Sequence, residues 1–270
     1  MLSRYTRESA RVLLDNQPIT GLQSINSSYN LPFQNIKYLG QNDSLPQDMP
    51  IGPYLGAINF ESILLNKDQF IKYTGDISAD LRIEYDNNAF LMNKGYMAEY
   101  TLGCDVGSIP SVNTKWNIYG DFGSGNYQNS PFNIDESKLN IINPGDINIS
   151  LNELDLEKIN SFAVSIRSTR LPIYDATSRI PVDIKLQYPI QILTSFSISL
   201  NEYKQKNLYD YPKDKHIYNI GINLNKHNTN QTISSFQFNN STLIAEDYSV
   251  DINGSILMKL SYNNIINRIV

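Results

Sequence analysis

Two histidines, His216 and His227, are the whole supply of imidazole in this chain. A Ser-His-Asp set needs a placed histidine, and a helical zinc pair needs two at a four-residue spacing. Here His216 stands at the start of an expected strand and His227 in a polar turn, and no G-x-S-x-G elbow is present. The single cysteine, Cys104, rules out an intramolecular disulfide and a cysteine-based zinc site. Its neighbours Tyr100, Leu102 and Val106 mark it as a small buried hydrophobe. Glu61 and Asp80 could serve as a glycosidase pair only if folding held them about 5–9 Å apart, which nothing in their spacing requires. "DISAD" (Asp76–Asp80) and "DVGSIPS" (Asp105–Ser111) offer oxygens to calcium, without the spacing of an EF-hand. "GDFGSGN" (Gly120–Asn126) has closely spaced glycines but no lysine for a phosphate cradle, and reads as a flexible loop. The 18 tyrosines, with Trp116, fit either a sugar platform or core and interface packing. The sequence therefore predicts no enzyme, no cofactor and no metal.

The bulk composition narrows the partners. Net charge is −5 and the isoelectric point about 5.1. Arg4, Arg7 and Arg11, like Lys213 and Lys215, have acidic neighbours, so no basic stripe for gripping nucleic acid is visible. Hydrophobic residues make up 41% of the chain, enough for a core, while charged residues are only 18%. The surface must then rely on neutral polar side chains. The opening "MLSRYTRESARVLL" lacks the apolar run of a secretion signal, and no stretch approaches the ~20 apolar residues of a membrane helix.

The elements that would position any site are strands. Alternation of apolar and polar residues predicts them near 9–15, 18–30, 57–66, 80–86, 96–105 and 112–120. A second set is expected near 161–167, 181–187, 189–201, 215–224, 233–239, 242–252 and 255–262. Helix signals are few: Asn66–Gly75 has an asparagine cap and a terminal glycine, and Ser150–Asn160 has a Ser150…Glu153 capping-box spacing. The second could equally be irregular.

The strand sets echo each other. "QPITGLQSINSSYN" (Gln17–Asn30) matches "YPIQILTSFSISLN" (Tyr188–Asn201), placing Leu22 with Leu193 and Ile25 with Phe196. Leu65-Asn66-Lys67 matches Leu224-Asn225-Lys226, and "EYTLGC" (Glu99–Cys104) matches "DYSVDI" (Asp247–Ile252). Asn pairs at 87–88 and 239–240 precede the last match. Three matches in one order point to an internal duplication. The expected division is a first β domain at 1–121, a connecting segment at 122–177 and a second β domain at 178–270. The long first-unit loop 38–56 carries Tyr38, Leu39, Met49, Ile51, Tyr54 and Leu55. Apolar content in a Pro/Gly-rich loop fits docking on another subunit or ring, or packing as an intrachain Ω-loop.

The runs "ARVLLDNQPITGLQSINSSYNLPFQNIKYLG", "INFESILLNKDQFIKYTG" and "EYTLGCDVGSIP" resemble the tail tube proteins of long-tailed bacteriophages, and "FNNSTLIAEDYSVDING" is similar to that family's late hairpin. The resemblance implies two tandem β-sandwich or barrel units, each with at most one short helix. It implies a structural virion protein whose chains close a pseudo-hexameric ring as homotrimers. The rings would stack into a tube beside other tail proteins, and phage DNA would pass through unbound. Such a lumen should be acidic or neutral, since each Lys/Arg–phosphate contact adds attraction. Other tail rings (distal tail, baseplate or neck) and a carbohydrate-binding β-sandwich using exposed tyrosines and Trp116 are the competing expectations.

Overall fold

The computed structural model describes residues 11–30, 33–34, 49–50, 53, 55–65, 67–85, 87–126, 139–142, 145–152, 154–156, 159–199, 217–227, 231–250 and 256–267. The protein is mainly β, as the alternation predicts. The first strands are β1 (Arg11–Leu14), β2 (Gln17–Pro18), β3 (Leu22–Asn30), β4 (Phe33–Gln34), β5 (Met49–Pro50), β6 (Leu55–Ile63), β7 (Ser78–Tyr85), β8 (Asn88–Asp105), β9 (Ser111–Ile118) and β10 (Phe122–Gly125). They are followed by β11 (Ile147–Leu151), β12 (Leu154–Leu156), β13 (Ile159–Arg167), β14 (Arg170–Ile173), β15 (Asp183–Leu186), β16 (Ile190–Ser199), β17 (Ile217–Asn225), β18 (Thr232–Val250) and β19 (Ile256–Ile266). Fifteen of them form one sheet.

One pattern of antiparallel pairing occurs twice, in chain order. In the first half, β1 forms a hairpin with β2 and pairs β7; β7 pairs β8, β8 pairs β9, β9 pairs β6, and β6 pairs β3. In the second half β11, β12, β13, β16, β17, β18 and β19 take those places in turn. The minor hairpins agree too, β4–β5 lying between β3 and β6, and β14–β15 between β13 and β16.

The irregularities recur with the strands. A ladder shift falls between Met97 and Glu99 on β8 and between Leu243 and Ala245 on β18, where each strand meets its hairpin partner. Shifts on β3 (Leu22/Ser24) and β13 (Ile159/Ser161) match likewise. Lys94 and Asn240 both adopt the left-handed conformation, at φ 52° and 58°. The Asp80 carboxylate accepts from the Lys94 amide, and the Asn219 side-chain oxygen accepts from the Asn240 amide. Asp15 caps the Asp80 amide as Asn152 caps that of Asn219. A bulge opens the ladder and leaves amides to be satisfied by side chains, which explains short acceptors at these places.

Paired register sets the correspondence. Phe60 opposes Thr114 and Ile25, as Phe196 opposes Leu260 and Phe162. Trp116 takes the place of Tyr262, each essentially fully buried. The sequence alignment of Leu22 with Leu193 and Ile25 with Phe196 is therefore corrected: β16 corresponds to β6, and β3 to β13. The match of Leu65–Lys67 with Leu224–Lys226 fails for the same reason, because β17 corresponds to β7. "EYTLGC" and the described part of "DYSVDI", Asp247–Val250, do lie on corresponding strands, slipped by two residues. A slip of two preserves the inward and outward pattern, so the sequences look alike in the wrong register. The Asn pairs also differ in role: Asn87 is a hairpin turn residue and Asn240 a bulge.

Three other expectations change. Among the described residues of Ser150–Asn160 there is no helix: they belong to β11, β12 and β13 and to the turn at Asn152. The turn at Asn152, with φ 50°, makes the β11–β12 hairpin tight. The helix expected at 66–75 is reduced to a 3-10 turn at Ile71–Thr74. Phe122–Gly125 of "GDFGSGN" form the strand β10, paired with β8, rather than a flexible loop. Phe122 anchors it, its ring 4.6 Å from Tyr29 and 5.6 Å from Phe90. The segment 122–177, read as a connection, thus holds β10 through β14.

A single buried cluster runs through both halves. Trp116 meets Tyr73 and Phe60 edge-on in the first, and Tyr218 meets Tyr262 edge-on in the second. The halves are joined where β13 pairs with the C-terminal part of β8.

Candidate assembly interface

The part of the sheet that could serve a function is a run of eight antiparallel strands: β3, β6, β9, the end of β8, β13, β16, β19 and the end of β18. Alternation along each strand separates two faces. One carries the core residues Ile58, Phe60, Trp116, Leu102, Val164 and Phe196. The other carries Ser24, Asn26, Asn59, Asn113, Thr101, Ala163, Ser165, Ser195, Ser197 and Ser261, with a few aliphatics such as Leu193 and Leu257. Ser24, Asn26, Asn59, Asn113 and Thr101 line an open polar hollow.

Among the described residues of this polar face three cations, Lys115, Arg167 and Lys259, stand against four carboxylates, Glu61, Glu99, Asp105 and Asp247. Glu99 lies opposite both Lys115 and Arg167 in the ladders, and Asp247 lies opposite Lys259. Arg167 Nε reaches Glu99 Oε1 at 3.1 Å. Such exposed pairs add little stability. Their effect is to set a carboxylate near each of these cations, so the face has no net positive field.

The joint between the halves is built from side chains as well as backbone. Beyond the β8–β13 ladder, Thr101 Oγ1 donates to Ser165 Oγ at 3.4 Å. Ser168 Oγ donates to the Thr74 carbonyl at 2.6 Å. The Arg170 guanidinium donates to the carbonyls of Met97 and Gly75 and stacks over the Tyr96 ring. Burial pulls its pKa below the usual value, opposed by the nearby Asp76 carboxylate. Arginine nonetheless remains charged at any physiological pH.

The sites expected from sequence are dispersed. Glu61 accepts a hydrogen bond from Ser24 on the polar face, while Asp80 is committed to the bulge at Lys94. They serve separate structural roles. Asp105 makes a local turn with Ser108. Among the described residues no group of three or more His, Cys, Asp or Glu could hold a metal. His227 pairs with Asp146 at 2.9 Å, and His216 lies outside the described residues. Cys104 is half-buried at the joint rather than deep in the core. Trp116 is fully buried, with its Nε1 donating to Thr114 Oγ1, so it cannot face a sugar.

Of the apolar loop residues, Tyr38, Leu39, Ile51 and Tyr54 lie outside the described residues. Met49 is in β5, opposite Gln34, and Leu55 opens β6 with its side chain exposed. Sequence reasoning missed the two edges of the eight-strand run, because an edge is a property of pairing and no residue type marks it. Comparison with protein-family models and with curated proteins finds no match to this chain.

Proposed function

We propose that this chain is a structural subunit that assembles with copies of itself into rings, two tube-like β units per chain, forming the tail tube of a long-tailed bacteriophage. The observation that carries the reading is the doubled pairing pattern, with the second set continuing the ladder of the first through β8 and β13. A chain that already joins one repeat to the next edge-to-edge is suited to continue that join with another copy. A heterologous contact of this kind closes into a ring when its rotation allows. In the resemblance drawn from sequence, three such chains complete a ring, and the rings stack within the virion beside other tail proteins.

The polar face supports a conduit. Serine, asparagine and threonine dominate it, and Lys115, Arg167 and Lys259 are each matched by an acid. DNA could slide over such a surface without phosphate contacts to hold it. Electron microscopy of the purified protein, with mass measured in solution, tests the reading. Open-ended tubes built of rings are the expected result. Single rings that do not stack would instead indicate a distal-tail, baseplate or neck ring, and a protein that stays monomeric at all concentrations would overturn assembly altogether.

A further inference from the structure

The eight-strand run ends in two edges. Among the described residues β3 pairs only with β6, and the stretch Leu243–Val250 of β18 pairs only with β19. These are not arbitrary ends. β3 holds the place in the first half that β13 holds in the second, and the end of β18 corresponds to the end of β8. β13 and β8 are the two strands that meet inside the chain. Each chain thus presents, at opposite ends, the two halves of a joint it has already made once.

We infer that the edge strand β3 of one copy pairs antiparallel with residues 245–250 of β18 in a second copy, in the register of the internal joint. This rests on the self-assembly reading above and specifies its contact. The internal register sets Phe162 opposite Cys104, Val164 opposite Leu102, Ser165 opposite Thr101 and Arg167 opposite Glu99. Transferred through the corresponding ladders, it sets Ile25 opposite Val250, Asn26 opposite Ser249, Ser28 opposite Asp247, and Asn30 opposite Ala245. The chemistry fits. Ile25 and Val250 are both apolar and point to the core side, and Val250 is 71% exposed in the single chain. Ser28 and Asp247 meet on the polar face, where a hydroxyl can donate to the carboxylate as Thr101 does to Ser165. Exposed edges of this length are normally blunted, and here β3 carries no proline or lysine to block pairing.

The joint between chains is also the weaker one. The internal joint links parts of one covalent chain that share a single buried core, and Arg170 ties it further by donating to the carbonyls of Met97 and Gly75. Dissociation should therefore release intact chains with the internal joint closed.

A disulfide trap reads the register directly. In a Cys104→Ser background, Ser28→Cys with Asp247→Cys places thiols on directly opposed residues of neighbouring copies. Ser28→Cys with Ser249→Cys is two residues out of register. Mild oxidation should give covalent multimers for the first pair, at least about tenfold more than for the second, on the scale set by disulfide geometry. Val250→Lys, at an exposed position, should leave the circular dichroism of the chain unchanged and abolish assembly. If the protein assembles yet the first pair forms no more cross-link than the second, the edge pairing is wrong while the self-assembly reading stands. Normal assembly of Val250→Lys would overturn the edge pairing in the same way. A chain that never assembles overturns both.

Discussion

Asp68 shows how individual residues hold the first half together. It is buried, its Oδ2 accepts from the Tyr100 hydroxyl at 2.5 Å, and its Oδ1 accepts from the Phe70 amide at 2.8 Å. Burial raises its pKa, and the hydrogen bonds from Tyr100 and the backbone oppose this only in part. Burial, with the Asp68 charge, likewise raises Tyr100. The folded state therefore keeps the Asp68 proton at pH values where the unfolded chain has lost it. The resulting stabilisation is complete below the ordinary carboxylate pKa and is lost as pH rises through the raised one. Denaturant titration of the wild type and of Asp68→Asn should show the stability difference shifting against the wild type between acid and neutral pH. A constant difference would mean that the carboxyl does not titrate in this window. Asp68→Ala strands the Tyr100 hydroxyl and the Phe70 amide, and should cost about 2–4 kcal/mol.

At the scale of elements, β10 illustrates how a Gly-rich segment becomes structure. Gly123 and Gly125 offer little to pack, but Phe122 inserts between Tyr29 and Phe90. The room for its ring comes from Gly56 on β6, where an added Cβ would lie 2.1 Å from Phe122 Cε2. Gly56→Ala should displace the ring and destabilise the protein by about 1–3 kcal/mol, the usual cost of overpacking. An unchanged melting temperature would show that β10 does not depend on this contact. The same strand explains part of what the sequence hides. Glycine and asparagine read as breakers, yet Gly125 sits in a ladder and Asn240 lies within a 19-residue strand. The expected strands 233–239 and 242–252 are in fact one, bent at a left-handed residue whose amide a side chain satisfies.

For the whole molecule, the polar face makes a prediction about nucleic acid. Ser195 lies near the middle of this face, opposite Ala163 and Ser261 and away from any acid in the registers of β13 and β19. Ser195→Lys adds a cation without a matching carboxylate. Assemblies of this variant should bind DNA with an affinity that falls steeply with salt, while wild-type assemblies bind weakly at every salt concentration. Strong DNA binding by the wild type would contradict a conduit that lets DNA slide. The charge balance is partly legible in sequence, where the net charge is −5 and each basic cluster has acidic neighbours. Which carboxylate faces which cation is not, because Glu99 meets Lys115 and Arg167 only through two separate ladders.

The amino-acid sequence by itself determined the fold class and pointed to a repeat. Period-two alternation of apolar and polar residues forces strands. It placed the ends of β8 and β18 in correspondence, two residues out of register, but set β3 against β16 and the β6 run against β17, which the ladders reassign. What it could not decide was which strand answers to which, and in what register. Strands repeat every two residues, so neighbouring alignments satisfy the same pattern of burial, and composition rich in Ser, Asn and Ile supplies chance identities. Only the tertiary ladders show that Phe60 answers to Phe196 and Ile25 to Phe162, since hydrogen-bonded neighbours define a residue's place. Which strands end the run among the described residues is decided there too, because an edge is defined only once the other strands have found their partners.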